Sequence, residues 1–194
     1  MDDAAEDFLQ RLGGIHRAIH TDGRRMLRSI LTTCQQMLTD RGCVGVCVAD
    51  DPVKEMVASR PVVRSNQTLV FLHMEDKVGV KFARSIVEQS GDHLAVCVSI
   101  DGPTAFTRNE FHSSNLQFML CKTLCVNLTR HKLVPKHTLL TDRSGYDPKT
   151  LPLLLESDPV VQYYNWPVGS MVKIDRVFAG NEPIPYVRLI SASS

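Results

Sequence analysis

The last third of the chain reads His131-Lys-Leu-Val-Pro-Lys-His137, then Asp158-Pro-Val-Val-Gln-Tyr-Tyr164, then Gly169-Ser-Met-Val-Lys-Ile-Asp-Arg176. Asp158 can accept hydrogen bonds from the free N–H groups that begin a helix, and proline is favoured at the first helical position. The second segment therefore predicts a short helix. In the third segment apolar Val172 and Ile174 alternate with charged residues, which predicts a strand with one buried and one polar face.

The residues around these segments differ in composition from the rest of the chain. Seven of the ten prolines lie after residue 130, so regular elements are expected to be short there. Residues 138–140 predict one further strand, and 171–176 are predicted to pair with 186–190 across a turn that contains Gly180-Asn181. Residues 126–194 are therefore expected to form a small mixed α+β domain.

Residues 1–125 carry longer periodic segments. A helix is predicted after Asp22-Gly23, where apolar residues recur at three-and-four spacing up to a C-terminal Gly42. A shorter helix is predicted upstream, with Phe8, Leu12, Ile15 and Ile19 on one face. Strands are predicted at 44–48, 68–74 and 94–100, and helices at 82–87 and 116–124. This alternation predicts an α/β layered domain.

Composition limits the classes of function. The formal net charge is only +1 and neither domain is a basic arm, so any contact with DNA is expected to be local. The six cysteines lie mostly in apolar runs and no signal peptide precedes them, which favours reduced thiols in cytosol or nucleus. No apolar run approaches the roughly 20 residues that span a bilayer, and no membrane partner is expected.

Two chemical sites compete with simpler interpretations. Cys43 with Cys47 and Cys121 with Cys125 form two C-x3-C pairs, which could hold zinc. Both pairs lie in ordinary apolar segments without the turns typical of zinc ligands, so buried core thiols are the preferred interpretation. The predicted metal ligand set is therefore empty.

The second site is that of a Mg2+-dependent nuclease of the restriction-endonuclease type. Such enzymes place an acidic residue and a Glu-x-Lys pair on adjacent strands, so that carboxylates hold the metal. Here Glu75-Asp-Lys77 follows the predicted strand 68–74, and Asp50-Asp51 follows the preceding one. The pattern is short and frequent by chance, so nuclease activity stands as an alternative.

Asn127-Leu-Thr-Arg-His-Lys-Leu-Val-Pro-Lys-His137, with the segments at 158–164, 169–176 and 186–190, resembles one family in order and spacing. This family is the fifth subunit of the eukaryotic nuclear RNA polymerases I, II and III, together with its archaeal counterpart. Asp76-Lys-Val-Gly-Val-Lys81 is similar to a family segment too, which accounts for Lys77 without nuclease chemistry. The resemblance implies an N-terminal jaw domain with restriction-endonuclease-like three-layer topology, residues 1–125, and a C-terminal assembly domain, residues 126–194.

The resemblance implies a non-catalytic subunit without catalytic residues or cofactors of its own. The assembly domain would be anchored on the largest polymerase subunit, in the nucleus or at a site of viral transcription, and the jaw would lie near downstream duplex DNA. The candidates for subunit contact are Pro135, His137, Asp158, Pro159, Tyr163, Lys173, Arg176, Tyr186 and Arg188. The candidates near DNA are Pro103, Thr104 and Arg108, at the turn Asp101-Gly-Pro-Thr104.

Some segments depart from the family pattern. The connection at 141–151 is short, and Ser144-Gly-Tyr-Asp-Pro148 predicts a loop where the family usually has a helix. Gln162 stands where arginine is usual, and residues 177–183 replace a Ser/Thr-rich turn. These departures indicate a divergent member or a specialised paralogue. A polymerase-free adaptor remains a further alternative.

Overall fold

A computed structural model describes residues 3–15, 22–112, 114–176 and 184–192. The chain divides into two compact units, Met1–Val126 and Asn127–Ser194, which are described separately below as the first and the second unit.

The first unit contains a five-stranded mixed sheet in the order β1-β2-β3-β4-β5. Strands β1, β2 and β3 are antiparallel neighbours, whereas β3, β4 and β5 run parallel. The strands are β1 Cys47–Val48, β2 Val63–Arg64, β3 Thr68–Leu72, β4 Leu94–Ser99 and β5 Leu116–Leu120. The helices are α1 Asp3–Gly13, α2 Gly23–Asp40, α3 Pro52–Val57, α4 Val80–Ser90, α5 Ala105–Glu110 and α6 Cys121–Leu124.

The central strands β3 and β4 are buried almost throughout, as parallel strands covered by helices require. Phe71 and Cys97 are directly paired in register and share a core cluster with Ala83 and Ile86 of α4. The predicted helix at 82–87 and the strand at 94–100 are confirmed by α4 and β4, because both carry periodic apolar residues over their whole length.

The helix predicted after Gly23 is confirmed as α2. Asp22 accepts a hydrogen bond from the N–H of Arg24 at 3.1 Å, and Gly42 follows the helix with a φ of +82°. Helix α1 ends at Gly13, and Gly23 lies against its backbone, because a Cβ on Gly23 would stand 1.8 Å from the Leu9 carbonyl oxygen. Ile19, expected in the upstream helix, lies outside the described residues.

The prediction of one helix at 116–124 is wrong. Residues 116–120 form strand β5, which is parallel to β4, and only Cys121–Leu124 is helical. A short apolar run does not distinguish a strand from a helix by periodicity, and here pairing with the exposed edge of β4 decides the conformation. The strand predicted at 44–48 is reduced to β1.

The second unit contains a four-stranded sheet in the order β6-β8-β9-β7. Its elements are β6 Lys136–Leu139, β7 Leu153–Leu155, α7 Pro159–Tyr164, β8 Met171–Arg176 and β9 Ile184–Ser191. Strand β8 is antiparallel to both neighbours, while β7 and β9 are parallel. The core consists of Leu154, Val161, Val172, Ile174 and Ile190, with Trp166 packed against it.

This sheet confirms the predicted pairing of 171–176 with 186–190, since Ile174 faces Tyr186 and Val172 faces Arg188. The predicted turn around Gly180-Asn181 lies outside the described residues. Residues 141–150 are exposed and hold no helix or strand, in agreement with the loop predicted there. Of the helices in the described ranges, none has the length and apolarity needed to cross a membrane.

Candidate functional site

Two candidate residues on β8 and β9 form an exposed polar and aromatic surface on the second unit. Tyr186 pairs with Ile174 and is 42% exposed, and the guanidinium carbon of Arg176 lies 5.4 Å from the centre of its ring. Such a cation–π contact holds a flexible arginine against a flat aromatic surface. Both side chains therefore present a partly ordered surface at one end of the sheet.

Lys173 and Arg188 make defined contacts within the second unit. The Lys173 ammonium lies 3.2 Å from a carboxylate oxygen of Asp175, on the sheet face opposite to Ile174. The Arg188 guanidinium donates a hydrogen bond of 3.1 Å to the backbone carbonyl of Leu153. Arg188 therefore links β9 to the neighbouring strand β7 through this hydrogen bond, and it is also a candidate for subunit contact.

The candidates at α7 hold the helix in place. Asp158 accepts hydrogen bonds from the N–H groups of Val160 at 2.8 Å and Val161 at 3.4 Å, which confirms the predicted cap. Pro159 occupies the first turn and is exposed. Tyr163 is only 4% exposed, and its hydroxyl accepts a hydrogen bond from the Asn127 amide. An interface role for Tyr163 therefore has to act through the packing of the unit.

Pro135 and His137 lie at the start of β6, and both are half-buried. His137 pairs with Ile174, and its Nδ1 donates a hydrogen bond of 2.8 Å to the Pro135 carbonyl. Of the stretch before β6, only Pro135 was a sequence-based candidate for subunit contact. Leu133 in this stretch is 78% exposed, beside exposed Lys132 and His131.

The turn at 101–104 in the first unit is fixed by backbone pairing. The N–H of Val78 donates to the Gly102 carbonyl at 3.0 Å, and the N–H of Thr104 donates to the Val78 carbonyl at 3.2 Å. Pro103 forms a bridge with Val78 and is half-buried. Thr104 caps α5 through the N–H of Thr107. A rigid turn thus precedes the helix that carries Arg108.

Arg108 is exposed on α5, together with Phe106, which is 70% exposed. Phe106 was missed in the sequence. The only signal for it was an isolated aromatic residue among polar neighbours right after the turn. An exposed aromatic side chain offers a flat apolar surface on which a base, a peptide or another protein can pack.

The nuclease alternative gains no support from the geometry. Glu75 and Lys77 lie in the exposed connection between β3 and α4, and neither belongs to a strand. Strand β2 separates β1, which precedes Asp50-Asp51, from β3, so the two acidic segments do not follow adjacent strands as the nuclease arrangement requires. The part of the chain that the structure describes holds no group of three or more side chains arranged to bind a metal.

The cysteine pairs are core thiols, with one exception. Cys34, Cys43, Cys97, Cys121 and Cys125 are buried, whereas Cys47 is exposed on β1. Burial raises the pKa of the Cys34 and Cys97 thiols to about 12. Because the thiolate is the form that binds zinc and attacks electrophiles, these two groups are chemically inert in the folded chain.

Comparison with known proteins gives concordant matches. Residues 126–189 match the family model described as RNA polymerase Rpb5, C-terminal domain. The chain is 28% identical over 183 residues to DNA-directed RNA polymerases I, II, and III subunit RPABC1 of Caenorhabditis briggsae, with 76% of this chain and 87% of the relative aligned. It is 31% identical over 181 residues to the subunit of the same name, rpabc1, of Dictyostelium discoideum, with 80% and 91% aligned.

A shorter match, with an alignment over 73 residues that covers 34% of this chain and 34% of the relative, shows 32% identity to DNA-directed RNA polymerases IV and V subunit 5B of Arabidopsis thaliana. The fold and these matches define a class of protein, the accessory subunits of multisubunit RNA polymerases. Within that class the chain belongs to the Rpb5 family, and the resemblance found in its C-terminal segments is confirmed.

Proposed function

We propose that the chain is a non-catalytic subunit of a multisubunit nuclear RNA polymerase. The observation that carries this proposal is the overlap between the family match at 126–189 and the compact second unit at 127–194. The unit that is most similar to known polymerase subunits thus folds around its own core and presents Tyr186 and Arg176 at its surface. Nucleotide addition and its metal ions would belong to other subunits.

The two domains are proposed to divide this role. Residues 126–194 act as an assembly domain that anchors the chain on the largest polymerase subunit, through the candidates at 135–137, 158–163, 173–176 and 186–188. Residues 1–125 act as a jaw with restriction-endonuclease-like topology near downstream DNA, where Pro103, Thr104 and Arg108 are the candidates for contact. The turn before α5 supports that assignment, because its backbone hydrogen bonds hold Pro103 and Thr104 at the start of the helix that carries Arg108.

Affinity purification of the tagged chain from its own cells, followed by quantitative mass spectrometry, tests the proposal. The two largest polymerase subunits should be recovered in near-equal amounts with the tagged chain. Arg176→Ala should reduce that recovery, because it removes an exposed cation held over Tyr186. Arg143→Ala, in the exposed loop at 141–150, is the matched control. Recovery of the chain without any polymerase subunit would favour the adaptor alternative.

The DNA contact is tested on the assembled polymerase. Arg108→Ala should weaken salt-dependent retention of downstream duplex, because each lost phosphate contact lowers the slope of log affinity against log salt by about one. Arg60→Ala is a control, since Arg60 is exposed and lies far from α5 in sequence. An unchanged salt dependence in Arg108→Ala would remove this residue from the DNA surface.

A further inference from the structure

Strand β6 is an edge strand of its sheet, and no other described strand pairs with its outer side. The N–H of Leu140 donates to the Met171 carbonyl at 2.9 Å, so the backbone groups of even-numbered residues on β6 point toward β8. In an antiparallel ladder the alternate residues point the other way. The N–H and C=O groups of His137 and Leu139 therefore face outward. Within the described ranges, no residue forms a hydrogen bond with these backbone groups.

On the opposite edge of the same sheet, the outward carbonyls are paired within the unit. On β7 the outward carbonyl of Leu153 accepts a hydrogen bond from the Arg188 guanidinium at 3.1 Å. The carbonyl of Leu155 accepts another from the N–H of Asp158 at 2.9 Å. An unpaired edge is a template for strand addition, and a capped edge is not. Among the described residues, the two edges of this sheet thus differ in their outward carbonyls, which are paired on β7 and unpaired on β6.

The surroundings of β6 are basic and partly apolar. Arg130, His131, Lys132 and Lys136 are exposed, and no aspartate or glutamate occurs from residue 126 to residue 141. The acidic residue paired with Lys136 across the ladder is Asp175, whose carboxylate lies 3.2 Å from the Lys173 ammonium. Leu133 and Leu139 add exposed apolar surface beside the cationic side chains of Arg130, Lys132 and Lys136. A complementary strand would therefore carry acidic side chains next to an apolar one.

We propose that β6 receives an extended acidic segment of another polymerase subunit as an added fifth strand of the sheet. The inference rests on the proposed function, since the partner is a component of the same complex. In strand addition, backbone hydrogen bonds supply affinity and the flanking side chains select the sequence. Here His137 and Leu139 supply the backbone groups, and the cations at 130–136 select the acidic segment.

Leu139→Pro tests the backbone part of this proposal. Proline removes the outward N–H, and it is tolerated on an edge strand at a position whose N–H faces away from the sheet. Leu139→Ala is the matched control, because it loses the same exposed side chain and keeps the N–H. In affinity purification from cells, recovery of the largest polymerase subunits should fall about tenfold in Leu139→Pro relative to Leu139→Ala.

The charge part is tested by Lys132→Glu combined with Lys136→Glu, with arginine at both positions as the control. The glutamate pair should lose recovery of the large subunits, and the arginine pair should keep it. The fluorescence of Trp166, which packs against the core of the second unit, reports whether each variant is folded. If Leu139→Pro unfolds the unit, the recovery of the large subunits with the Lys132→Glu, Lys136→Glu variant alone decides whether the strand addition stands.

Three outcomes are distinguishable. Full recovery of the large subunits with the glutamate pair and with folded Leu139→Pro overturns the strand addition and leaves the proposed function intact. A wild-type chain that recovers no polymerase subunit overturns both. A purified wild-type chain that is a dimer in solution, and that becomes a monomer in Leu139→Pro, assigns the edge to a second copy and also overturns the inference.

Discussion

Gly23→Ala is the most demanding test of how the first unit is packed. A Cβ at this position would lie 1.8 Å from the Leu9 carbonyl oxygen and 2.5 Å from the Leu9 carbonyl carbon. Both atoms belong to backbone, so neither can rotate away. An ordinary contact requires α1 and α2 to separate by about 1.6 Å.

The magnitude follows from two opposing effects. Alanine is favoured over glycine in a helix by about 1 kcal/mol at interior positions, and by less at the first residue. Overpacking costs about 1–3 kcal/mol in a core that can shift. Here the separation of the two helices would also move the buried side chains of Phe8, Leu9 and Leu12 away from their packing partners. Each such side chain contributes about 1.5–3 kcal/mol to the free energy of unfolding when it is fully buried. We expect a net loss of at least about 2 kcal/mol, which corresponds to a melting temperature lower by about 8 °C.

The assay is thermal and urea unfolding followed by far-ultraviolet circular dichroism on the full chain. Fluorescence of Trp166, the single tryptophan, is recorded in parallel as a probe of the second unit. Gly14→Ala is the control, because its Cβ would meet the Arg11 carbonyl oxygen at an ordinary 3.5 Å. A Gly23→Ala chain as stable as wild type would show that α1 does not pack on α2 as described.

Three further predictions concern single side chains. Burial lowers the pKa of His73 below its ordinary 6.5, so the unfolded chain takes up a proton at a higher pH than the folded chain does. The free energy of unfolding should therefore fall as the pH drops from about 7.5 to about 5.5. In His73→Asn the urea midpoint should depend less on pH over this range. Asp158→Ala removes the cap of α7 and should lower the free energy of unfolding by about 1 kcal/mol, as measured by Trp166 fluorescence. Asp158→Asn should keep most of the wild-type stability, because asparagine is also a good N-cap residue. Ile190→Ala, at a residue only 1% exposed, should cost about 2–5 kcal/mol in the same fluorescence transition, and a loss below about 1 kcal/mol would contradict the described core.

Elements with a strong local signal could be predicted from the sequence. Helix α2 was predictable because its apolar stripe begins right after Asp22 and ends before a glycine with a positive φ. Helix α7 was predictable from one aspartate and one proline. The pair β8 and β9 was predictable because alternation on β8 leaves one face that must be covered.

Elements that depend on distant partners could not be predicted. Residues 116–120 become a strand because they pair with the edge of β4. The sequence of this segment alone does not indicate that such an edge is available. Strand β7 is three leucines after a proline, and it is a strand only through its pairing with β9. The contact between Gly23 and Leu9 is likewise invisible in sequence, since glycine before a helix usually signals only flexibility.

The same limit applies to the candidate surfaces. Asp158 has a role set by its immediate neighbours, and that role was predictable. The burial of Tyr163 and the open side of β6 depend on which strands and helices lie beside them, so they required the folded structure. Phe106 was overlooked because one exposed aromatic residue has no periodic signature.

The order of strands in the second unit has a consequence for synthesis. Among the described elements of the second unit, strand β9 comes last in sequence, yet it lies between β8 and β7 in the interior of the sheet. Strand β7 is made earlier, and its ladder partner in this sheet is β9. The sheet therefore cannot close until residues 184–191 have left the ribosome, whereas the first unit can fold as soon as it emerges. A premature stop before residue 184 would release a chain with a finished first unit and an exposed, unpaired second one, which is a substrate for chaperones and proteases rather than for assembly.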